Sequence, residues 1–202
     1  MKLREYNIVV AGVGGQGVLT LSRIIAYAAL IEGYHVRVGE TLGMSQRFGI
    51  VQSYIRFGTH VESPLIPLEG AHALLGLEPI EAVRALKYLN KRGLAIVNSH
   101  SIPSITTITG REKYPSVEQL ERILKEHSGK LIMINAQKIA LDLKLPMGVG
   151  VLLLGIFSAQ PENPINMESY INAIKYVVPR NVDENIKLFK KGIEIAKTIN
   201  KQ

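Results

Sequence analysis

A glycine-rich segment near the N-terminus carries the sharpest chemical signal in the sequence. Residues 12–17 read GVGGQG, which contains the GxGxxG spacing directly after a predicted strand. Glycines let the backbone turn tightly and approach a ligand closely, and the N–H groups that open the next helix can then bind an anion, usually a phosphate. The candidate cofactor-binding residues of this segment are Gly12, Gly14, Gly15, Gln16 and Gly17. The pattern predicts a phosphate-binding loop, and a tight turn without a ligand is the alternative.

A second polar segment, residues 39–49, reads GETLGMSQRFG and follows the second predicted strand. An α/β fold binds its ligands at the carboxyl ends of its strands, so we expect this segment to form a loop near the glycine segment. Arg47 could bind a phosphate or a carboxylate through two parallel hydrogen bonds. The other candidate cofactor-binding residues of this segment are Glu40, Met44, Ser45 and Gln46. An ordinary solvated loop is the alternative.

Glu40 is compatible with a second class of function, the binding of NAD. It lies roughly 20 residues beyond Gly17, which is the spacing at which NAD-binding folds place an acidic residue for the ribose. No recognisable set of catalytic Lys, His and Tyr residues accompanies this spacing, and no catalytic residue can be named from the sequence. A stand-alone NAD-binding Rossmann protein therefore remains an alternative.

The hydrophobic patterns around these two segments indicate how they are positioned. Residues 6–11 form a short apolar run that is typical of a strand buried on both faces. Residues 18–31 predict a helix packed on a sheet, and residues 34–38 alternate as a second strand does. These elements predict one βαβ unit that carries the glycine segment. Strands that alternate with helices along the rest of the chain predict an α/β fold, with a doubly wound, mostly parallel Rossmann-like sheet and helices on both faces.

The remaining elements are predicted in the same way. Further strands are predicted at residues 50–57, 73–77, 94–98 and 130–135, with a hairpin partner near 60–62 and a turn at 91–93. Further helices are predicted at residues 78–89, 117–126, 136–143, 150–159, 167–177 and 182–200. Ser116 and Gln119 predict a capping box at the start of one of them. We expect one domain over residues 1–202, whose helical C-terminal extension, from about residue 161, either wraps the sheet or forms an arm for a partner.

The composition excludes several classes of site. The chain has 202 residues, 47% of them hydrophobic, and a chain of this size can bury a core without disulfides or a structural metal. Cysteine is absent, which excludes a disulfide framework, a cysteine nucleophile and any cysteine-held iron–sulfur cluster. The five histidines form no HxH or HxxxH pair, so we expect no metal site.

The net charge of +7 favours an acidic partner such as a phosphate-bearing ligand. The basic residues of the C-terminal region are spaced along a helical pattern without interleaved aromatic residues, so we expect no nucleic-acid partner. The sequence carries no pattern typical of a signal peptide, and its longest uncharged stretch, residues 145–161, is broken by glycine and proline. We therefore expect a cytoplasmic protein without a membrane partner.

Taken together, the segment GVGGQG, the helix after it and the segment 39–49 resemble the gamma-type domain of 2-oxoacid:ferredoxin oxidoreductases. The run Gly-Met-Ser-Gln-Arg at residues 43–47 is most similar to the form in the beta subunits of indolepyruvate ferredoxin oxidoreductases. The similarity continues through the segments SPLIP, LLGLEPIEAVRAL, IVNSHSIP and NIKLFKKG. It covers nearly the whole chain and is far more specific than GxGxxG alone.

The resemblance implies a non-redox subunit of a complex that decarboxylates 2-oxoacids, such as aryl pyruvates, oxidatively with coenzyme A and passes the electrons to ferredoxin. It implies that thiamine diphosphate and iron–sulfur clusters lie in a larger partner subunit. This chain would bind coenzyme A and support assembly, and it would be inactive in isolation. Self-association of the isolated chain, and a paralogous binding or assembly module without activity, stay open.

Two departures from the family pattern bear on activity. Phe48 and Ile50 stand where the family has small residues, and they would crowd a close approach of the backbone. Relatives have an asparagine before the apolar helix near residues 145–154, whereas this chain reads LPMGVGVLLL there. Both departures leave room for a divergent substrate or for altered or lost activity.

Overall fold

The computed structural model describes residues 3–42, 49–103, 107 and 113–201. These residues form a six-stranded sheet in the order β2-β3-β1-β4-β5-β6. The strands are β1 (Tyr6–Val13), β2 (His35–Leu42), β3 (Ile50–Gly58), β4 (Ala71–Gly76), β5 (Leu89–Asn98) and β6 (Lys130–Ile134). The pairs β1–β4, β4–β5 and β5–β6 are parallel, and β3 is antiparallel to both of its neighbours.

Helices cover both faces of the sheet. The α-helices of the described ranges are α1 (Val18–Ile31), α2 (Pro79–Ala85), α3 (Val117–Glu126), α4 (Ala136–Asp142), α5 (Val149–Ser158), α6 (Met167–Val177) and α7 (Val182–Ile199). One hydrophobic core joins the sheet to α1, α4, α5, α6 and α7, and the other joins it to α2 and α3. The predicted α/β fold with a mostly parallel sheet is therefore confirmed.

Strand β1 shows why its sequence is apolar without interruption. Ile8 and Val10 point to the core that contains α1, while Val9 and Ala11 point to the core that contains α2. All four side chains are fully buried. A central strand with helices on both faces has no solvent-exposed side, so it alternates between two cores rather than between core and water.

The two strands of the predicted βαβ unit run parallel but are not neighbours in the sheet. Strand β3 lies between β1 and β2, and β2 pairs with β3 as an antiparallel hairpin instead of joining β1 directly. The predicted hairpin partner near residues 60–62 is not a strand, and residues 39–42, predicted as loop, continue β2. Burial explains the order, because most of β3 is buried whereas β2 carries exposed charges at Arg37 and Glu40 that suit the edge of a sheet.

Two element bounds also differ from the prediction. The helix predicted over 78–89 ends as an α-helix at Ala85, and a short 3₁₀ turn, Leu86–Tyr88, follows it. Strand β5 then begins at Leu89 and includes the predicted turn at 91–93, since the chain forms an irregular strand with a register shift opposite β4. Asn90 Oδ1 accepts a hydrogen bond from the backbone N–H of Arg92 at 2.9 Å, which stabilises this local kink.

The C-terminal helices pack on the main core. Leu188 and Phe189 of α7 are fully buried. A Cβ on Gly155 of α5 would lie 2.1 Å from the carbonyl oxygen of Phe189, so these two helices meet at backbone distance. The C-terminal region therefore wraps the core, which is the first of its two predicted arrangements. None of the helices in the described ranges is long and apolar enough to cross a membrane.

Candidate functional site

The glycine loop, residues 12–17, joins the carboxyl end of β1 to α1. Gly15 and Gly17 have φ angles of 96° and 83°, in the left-handed region that favours glycine. Gly12 is constrained by space instead, because a Cβ there would lie 2.8 Å from Gln16 Oε1 and 2.9 Å from Val18 Cγ2. The glycines of the motif thus answer two different requirements, backbone conformation and close packing.

Gln16 holds the loop against the end of the neighbouring strand. Its Oε1 accepts a hydrogen bond from the backbone N–H of Val13 at 2.9 Å, and its Nε2 donates to the carbonyl of Leu77 at 3.0 Å. Leu77 directly follows β4, so the Gln16 amide bridges the carboxyl ends of two adjacent parallel strands. The side chain predicted as a ligand donor is thereby engaged with two backbone groups, and it shapes the loop.

Gly14 connects the glycine loop to the second predicted segment. Its backbone N–H donates to the carbonyl oxygen of Gly49 at 2.9 Å. Gly49 directly precedes β3, and the end of β2 and the start of β3 lie at the carboxyl edge of the sheet, where Gly12 pairs with Val51. The four candidate residues Met44, Ser45, Gln46 and Arg47 lie outside the described residues, as does Phe48. Ile50 opens β3 and is partly exposed.

The start of α1 presents backbone donors. Leu21 N donates to the carbonyl of Gly17 at 2.9 Å, so the N–H groups of Val18, Leu19 and Thr20 precede the first helical hydrogen bond. Gly17 is the N-cap and no side-chain hydrogen bond caps this end. These donors and the positive end of the helix dipole together favour an anion at this position.

Two cavities flank the glycine loop. The first has a volume of about 200 Å³ and lies between the start of α1 and the segment that leads into α7. The second has a volume of about 320 Å³ and lies on the other side of Gln16, with a mostly apolar wall. That wall includes Val13, Ile102, Pro146, Met147 and Val149. Met147 lines both cavities, and 64% of its surface is exposed.

The first cavity contains residues that sequence reasoning missed. Arg180, Asn181 and Asn185 line it from the C-terminal region, opposite Gly17 and Thr20. The sequence analysis placed Arg180 and Asn181 between two predicted helices and Asn185 in the first turns of the second, and no local pattern marks them as part of a site. A single unusual feature lies at Asn181, whose φ of 53° is in the left-handed region.

A buried carboxylate fixes one wall of the second cavity. Glu78 follows β4 and is 1% exposed. Its Oε2 accepts from the backbone N–H of Glu81 at 3.0 Å. Its Oε1 accepts from the backbone N–H of Ile102 at 3.2 Å and from the hydroxyl of Tyr114. Burial raises the pKa of Tyr114, and its hydrogen bond to Glu78 adds to this rise. Glu78 thereby holds Ile102, which lines the cavity.

Asn98 ties together the elements behind this wall. Its Nδ2 donates to the carbonyl of Leu77 at 3.0 Å, and its Oδ1 accepts from the backbone N–H groups of His100 and Gln137, both at 3.3 Å. The side chain is fully buried. Asn98 therefore links the carboxyl ends of β4 and β5 to the start of α4, which makes it a structural residue of this edge.

The structure does not bring Glu40 to the glycine loop. Glu40 is exposed and lies on β2 opposite Ser53 of β3, which in turn pairs with Val10 of β1. Two strand spacings, about 10 Å, therefore separate Glu40 from β1. Within the described ranges, no group of three His, Cys, Asp or Glu residues is arranged to hold a metal ion.

Comparisons with known proteins agree with this fold. Residues 7–195 match the family described as pyruvate ferredoxin/flavodoxin oxidoreductase. The chain is similar to the indolepyruvate oxidoreductase subunit IorB of Pyrococcus horikoshii, with 42% identity over 197 residues that cover 96% of this chain and 98% of that subunit.

Two solved structures share the fold. The gamma subunit of a keto/oxoacid ferredoxin oxidoreductase from Geobacter sulfurreducens matches with a TM-score of 0.69 and 20% identity, over 96% of this chain and 99% of that one. A 2-oxoglutarate:ferredoxin oxidoreductase from Magnetococcus marinus matches with a TM-score of 0.71 and 15% identity, over 96% of this chain but 31% of that chain. The resemblance inferred from the sequence is confirmed, and the chain belongs to the pyruvate ferredoxin/flavodoxin oxidoreductase family.

Proposed function

We propose that this chain is the small, non-redox subunit of an indolepyruvate-type 2-oxoacid:ferredoxin oxidoreductase, and that its glycine loop binds coenzyme A. The assignment to the indolepyruvate type is supported by the 42% identity to the Pyrococcus horikoshii subunit over nearly the full length of both chains. The complex would decarboxylate aryl pyruvates oxidatively, transfer the acyl group to coenzyme A and pass the electrons to ferredoxin.

The absence of cysteine supports a division of roles in which a larger partner subunit holds the redox cofactors. A chain without cysteine holds no cysteine-ligated cluster, so electrons reach ferredoxin through the partner. Thiamine diphosphate, which supplies the carbanion chemistry, belongs to the partner as well. This chain contributes binding and orientation of coenzyme A, and a surface for assembly. In isolation it is inactive.

The uncapped start of α1 is the observation that carries the binding proposal. Among the described residues, no side chain caps this helix end, and the glycine loop that leads into it lies between a cavity lined by Arg180 and a cavity with a mostly apolar wall. Coenzyme A combines phosphates with a long, weakly polar arm, so the two environments correspond to the two parts of this ligand. An NAD-binding role is less well supported, because Glu40 lies two strands away from β1.

The binding proposal is tested by calorimetric titration of the full chain with coenzyme A and, separately, with NAD. Gly17→Val places a β-branched side chain where φ is 83°, so the loop must change its conformation and we expect at least about tenfold weaker binding of coenzyme A. Gly33→Val is the matched control, because Gly33 has a φ of 76° at the opposite end of α1. The control should lose stability but keep the affinity.

The subunit role is tested by co-expression with a larger, cysteine-rich subunit encoded in the same source. Co-purification, followed by reduction of ferredoxin that depends on aryl pyruvate and coenzyme A, is the expected result. A chain that never associates with such a subunit contradicts the role. Unchanged affinity for coenzyme A in a folded Gly17→Val variant contradicts the loop assignment.

A further inference from the structure

The cavity of about 200 Å³ beside the glycine loop has an uneven charge. Among the described residues that line it, Arg180 is the one charged residue and none is a carboxylate. The neutral polar residues of the wall are Gln16, Thr20, Asn181 and Asn185. The rest of the wall is apolar or glycine, so the exposed Arg180 is the charge that this wall offers to a ligand.

Arg180 differs from an arginine with a structural role in the same chain. The guanidinium of Arg56, which is largely buried, uses all three of its nitrogens: it donates to Glu5 at 2.6 Å, to Asn7 at 3.1 Å, and to the carbonyl oxygens of Ser63 and Leu65 at 2.8 Å. The Arg180 guanidinium makes no hydrogen bond or ion pair with any residue in the described parts of the chain. Its five N–H donors form a planar fork that matches a phosphate group.

The position of Arg180 is set by packed helices. It lies between α6 and α7, three residues after the end of α6, and α7 contacts α5 at backbone distance. A Cβ on Gly148, in another wall of the same cavity, would lie 2.3 Å from Cδ2 of Leu188 in α7. Residues 145–151 and the start of α7 thus interlock, and this contact holds the base of the Arg180 side chain beside the glycine loop.

The shape of the cavity indicates which part of a ligand it takes. Its wall comes from three segments: the start of α1, residues 145–151, and residues 178–185. A small recess that is bounded by three segments and open on its remaining side suits a group at the end of a ligand better than a chain that passes through it. A terminal phosphate monoester is such a group, and it carries close to two negative charges at neutral pH.

We propose that Arg180 binds the terminal phosphate monoester of the ligand, which for coenzyme A is the phosphate on the ribose. The apolar cavity on the far side of Gln16 then takes the less polar part of the same molecule. Arg180 determines specificity for the phosphorylated form, because only a ligand with that phosphate can form a charge-assisted pair with the guanidinium. This inference rests on the proposed binding of coenzyme A at the glycine loop and goes beyond it by naming the residue that selects the ligand.

The test compares coenzyme A with dephospho-coenzyme A, which lacks only the terminal phosphate, by calorimetric titration of the full chain. In the wild type we expect coenzyme A to bind at least about tenfold more tightly, the usual effect of a charge-assisted bidentate pair. Arg180→Ala should abolish this difference by weakening the binding of coenzyme A alone. Arg180→Lys should restore part of it, because lysine keeps the charge but not the planar fork.

Lys187→Ala is the matched control, since it removes one exposed positive charge from the first half of α7 outside the cavity wall. It should leave both affinities unchanged, and thermal unfolding of each variant checks that the chain is folded. If the wild type binds neither compound, the proposed function fails together with this inference. If the wild type binds coenzyme A and Arg180→Ala binds it equally well, or loses both ligands equally, the assignment of Arg180 is overturned while the glycine-loop site stands.

Discussion

The amide of Gln16 and the carbonyl of Leu77 join the two strands between which the candidate site opens. Gln16 Nε2 donates to Leu77 O at 3.0 Å, while Gln16 Oε1 accepts from Val13 N at 2.9 Å. Strand β1 continues into α1 on one face of the sheet, and β4 continues into α2 on the other. The crevice between diverging connections is where open α/β sheets bind ligands, and Gln16 spans it.

Replacing Gln16 should therefore cost stability at this crevice. Gln16→Ala removes both hydrogen bonds and leaves the backbone N–H of Val13 without its acceptor, so we expect a loss of about 1–3 kcal/mol in the free energy of unfolding. Gln16→Glu keeps an acceptor for Val13 but places a carboxylate against the carbonyl of Leu77, and it should also destabilise the chain. Urea unfolding measures both changes. Two variants as stable as the wild type would show that the bridge has no energetic role.

The contact between α5 and α7 predicts that a Gly→Ala substitution in α7 lowers the stability of the chain, the opposite of its usual effect in a helix. In a helix, Gly→Ala normally stabilises by about 1 kcal/mol through helix propensity. At Gly192 a Cβ would lie 2.3 Å from the carbonyl oxygen of Leu152 and 2.9 Å from Cα of Gly155, so α7 would have to move away from α5. We expect Gly192→Ala to destabilise the chain by about 1–3 kcal/mol, as overpacking does.

The matched control for Gly192→Ala is Lys190→Ala, an exposed position in the same helix. Thermal and urea unfolding should show little change for the control and a clear loss for Gly192→Ala. Because Arg180 lies just before α7, the same variant should weaken the binding of coenzyme A. A stabilised Gly192→Ala variant would mean that the two helices can separate freely.

The hydrogen bonds of Glu32 predict that the stability of the chain depends on pH in the acid range. Its Oε1 accepts from the backbone N–H of Asn166 at 2.9 Å, from Asn166 Nδ2 at 2.9 Å and from the hydroxyl of Ser169 at 2.8 Å, and so caps the start of α6. Burial acts to raise the pKa of Glu32, but these hydrogen bonds outweigh it, and the pKa is lowered from its ordinary value of 4.5. The capping contribution is therefore complete above pH 4.5 and is lost as the pH falls through the lowered pKa.

We expect Glu32→Gln to be less stable than the wild type at pH 7 and to approach it as the pH falls below 4.5 and the carboxylate of the wild type becomes protonated. The free energy of unfolding, measured in urea across this range, checks the prediction. Glu121→Gln, which changes an exposed carboxylate on α3, serves as the control and should run parallel to the wild type. A constant difference between Glu32→Gln and the wild type at every pH would contradict the linkage.

The buried ring of His72 predicts that the stability of the chain also depends on pH nearer to neutrality. Its Nδ1 accepts from the backbone N–H of Asn7 at 3.0 Å, which requires a neutral ring. Burial lowers the pKa of His72 from its ordinary value of 6.5, although Glu5 acts in the opposite direction. The folded chain thus binds a proton less readily than the unfolded chain. Stability from this group is present above pH 6.5 and falls as the pH drops towards the lowered pKa.

His72→Gln keeps an acceptor for Asn7 but does not titrate, so its stability should decline less than that of the wild type as the pH falls below 6.5. The comparison uses urea unfolding at several pH values. His60→Gln, at an exposed position, is the control and should leave the wild-type slope unchanged. Equal slopes for His72→Gln and the wild type would show that the ring does not carry this proton linkage.

The sequence alone determined the features that depend on neighbours along the chain. The glycine loop between β1 and α1 is one, because Gly15 and Gly17 meet local backbone requirements that few other residues can. The capping box is another: Ser116 Oγ accepts from Gln119 N at 3.2 Å, and Gln119 Oε1 accepts from Ser116 N at 3.0 Å, as the spacing predicts. Interactions between residues three positions apart can be predicted from the sequence.

Only the tertiary structure decided which strands are neighbours in the sheet and which residues from distant parts of the chain lie close together. Strand β3 lies between β1 and β2, although it follows β2 in the chain. A hydrophobic pattern predicts that a segment is a strand, but it does not predict which strands are its neighbours in the sheet. Arg180 and Gly17 are far apart in the chain but line one cavity, because α7 packs on α5 at Gly155 and Gly192. Such contacts arise from the fit of whole surfaces, which no local spacing records.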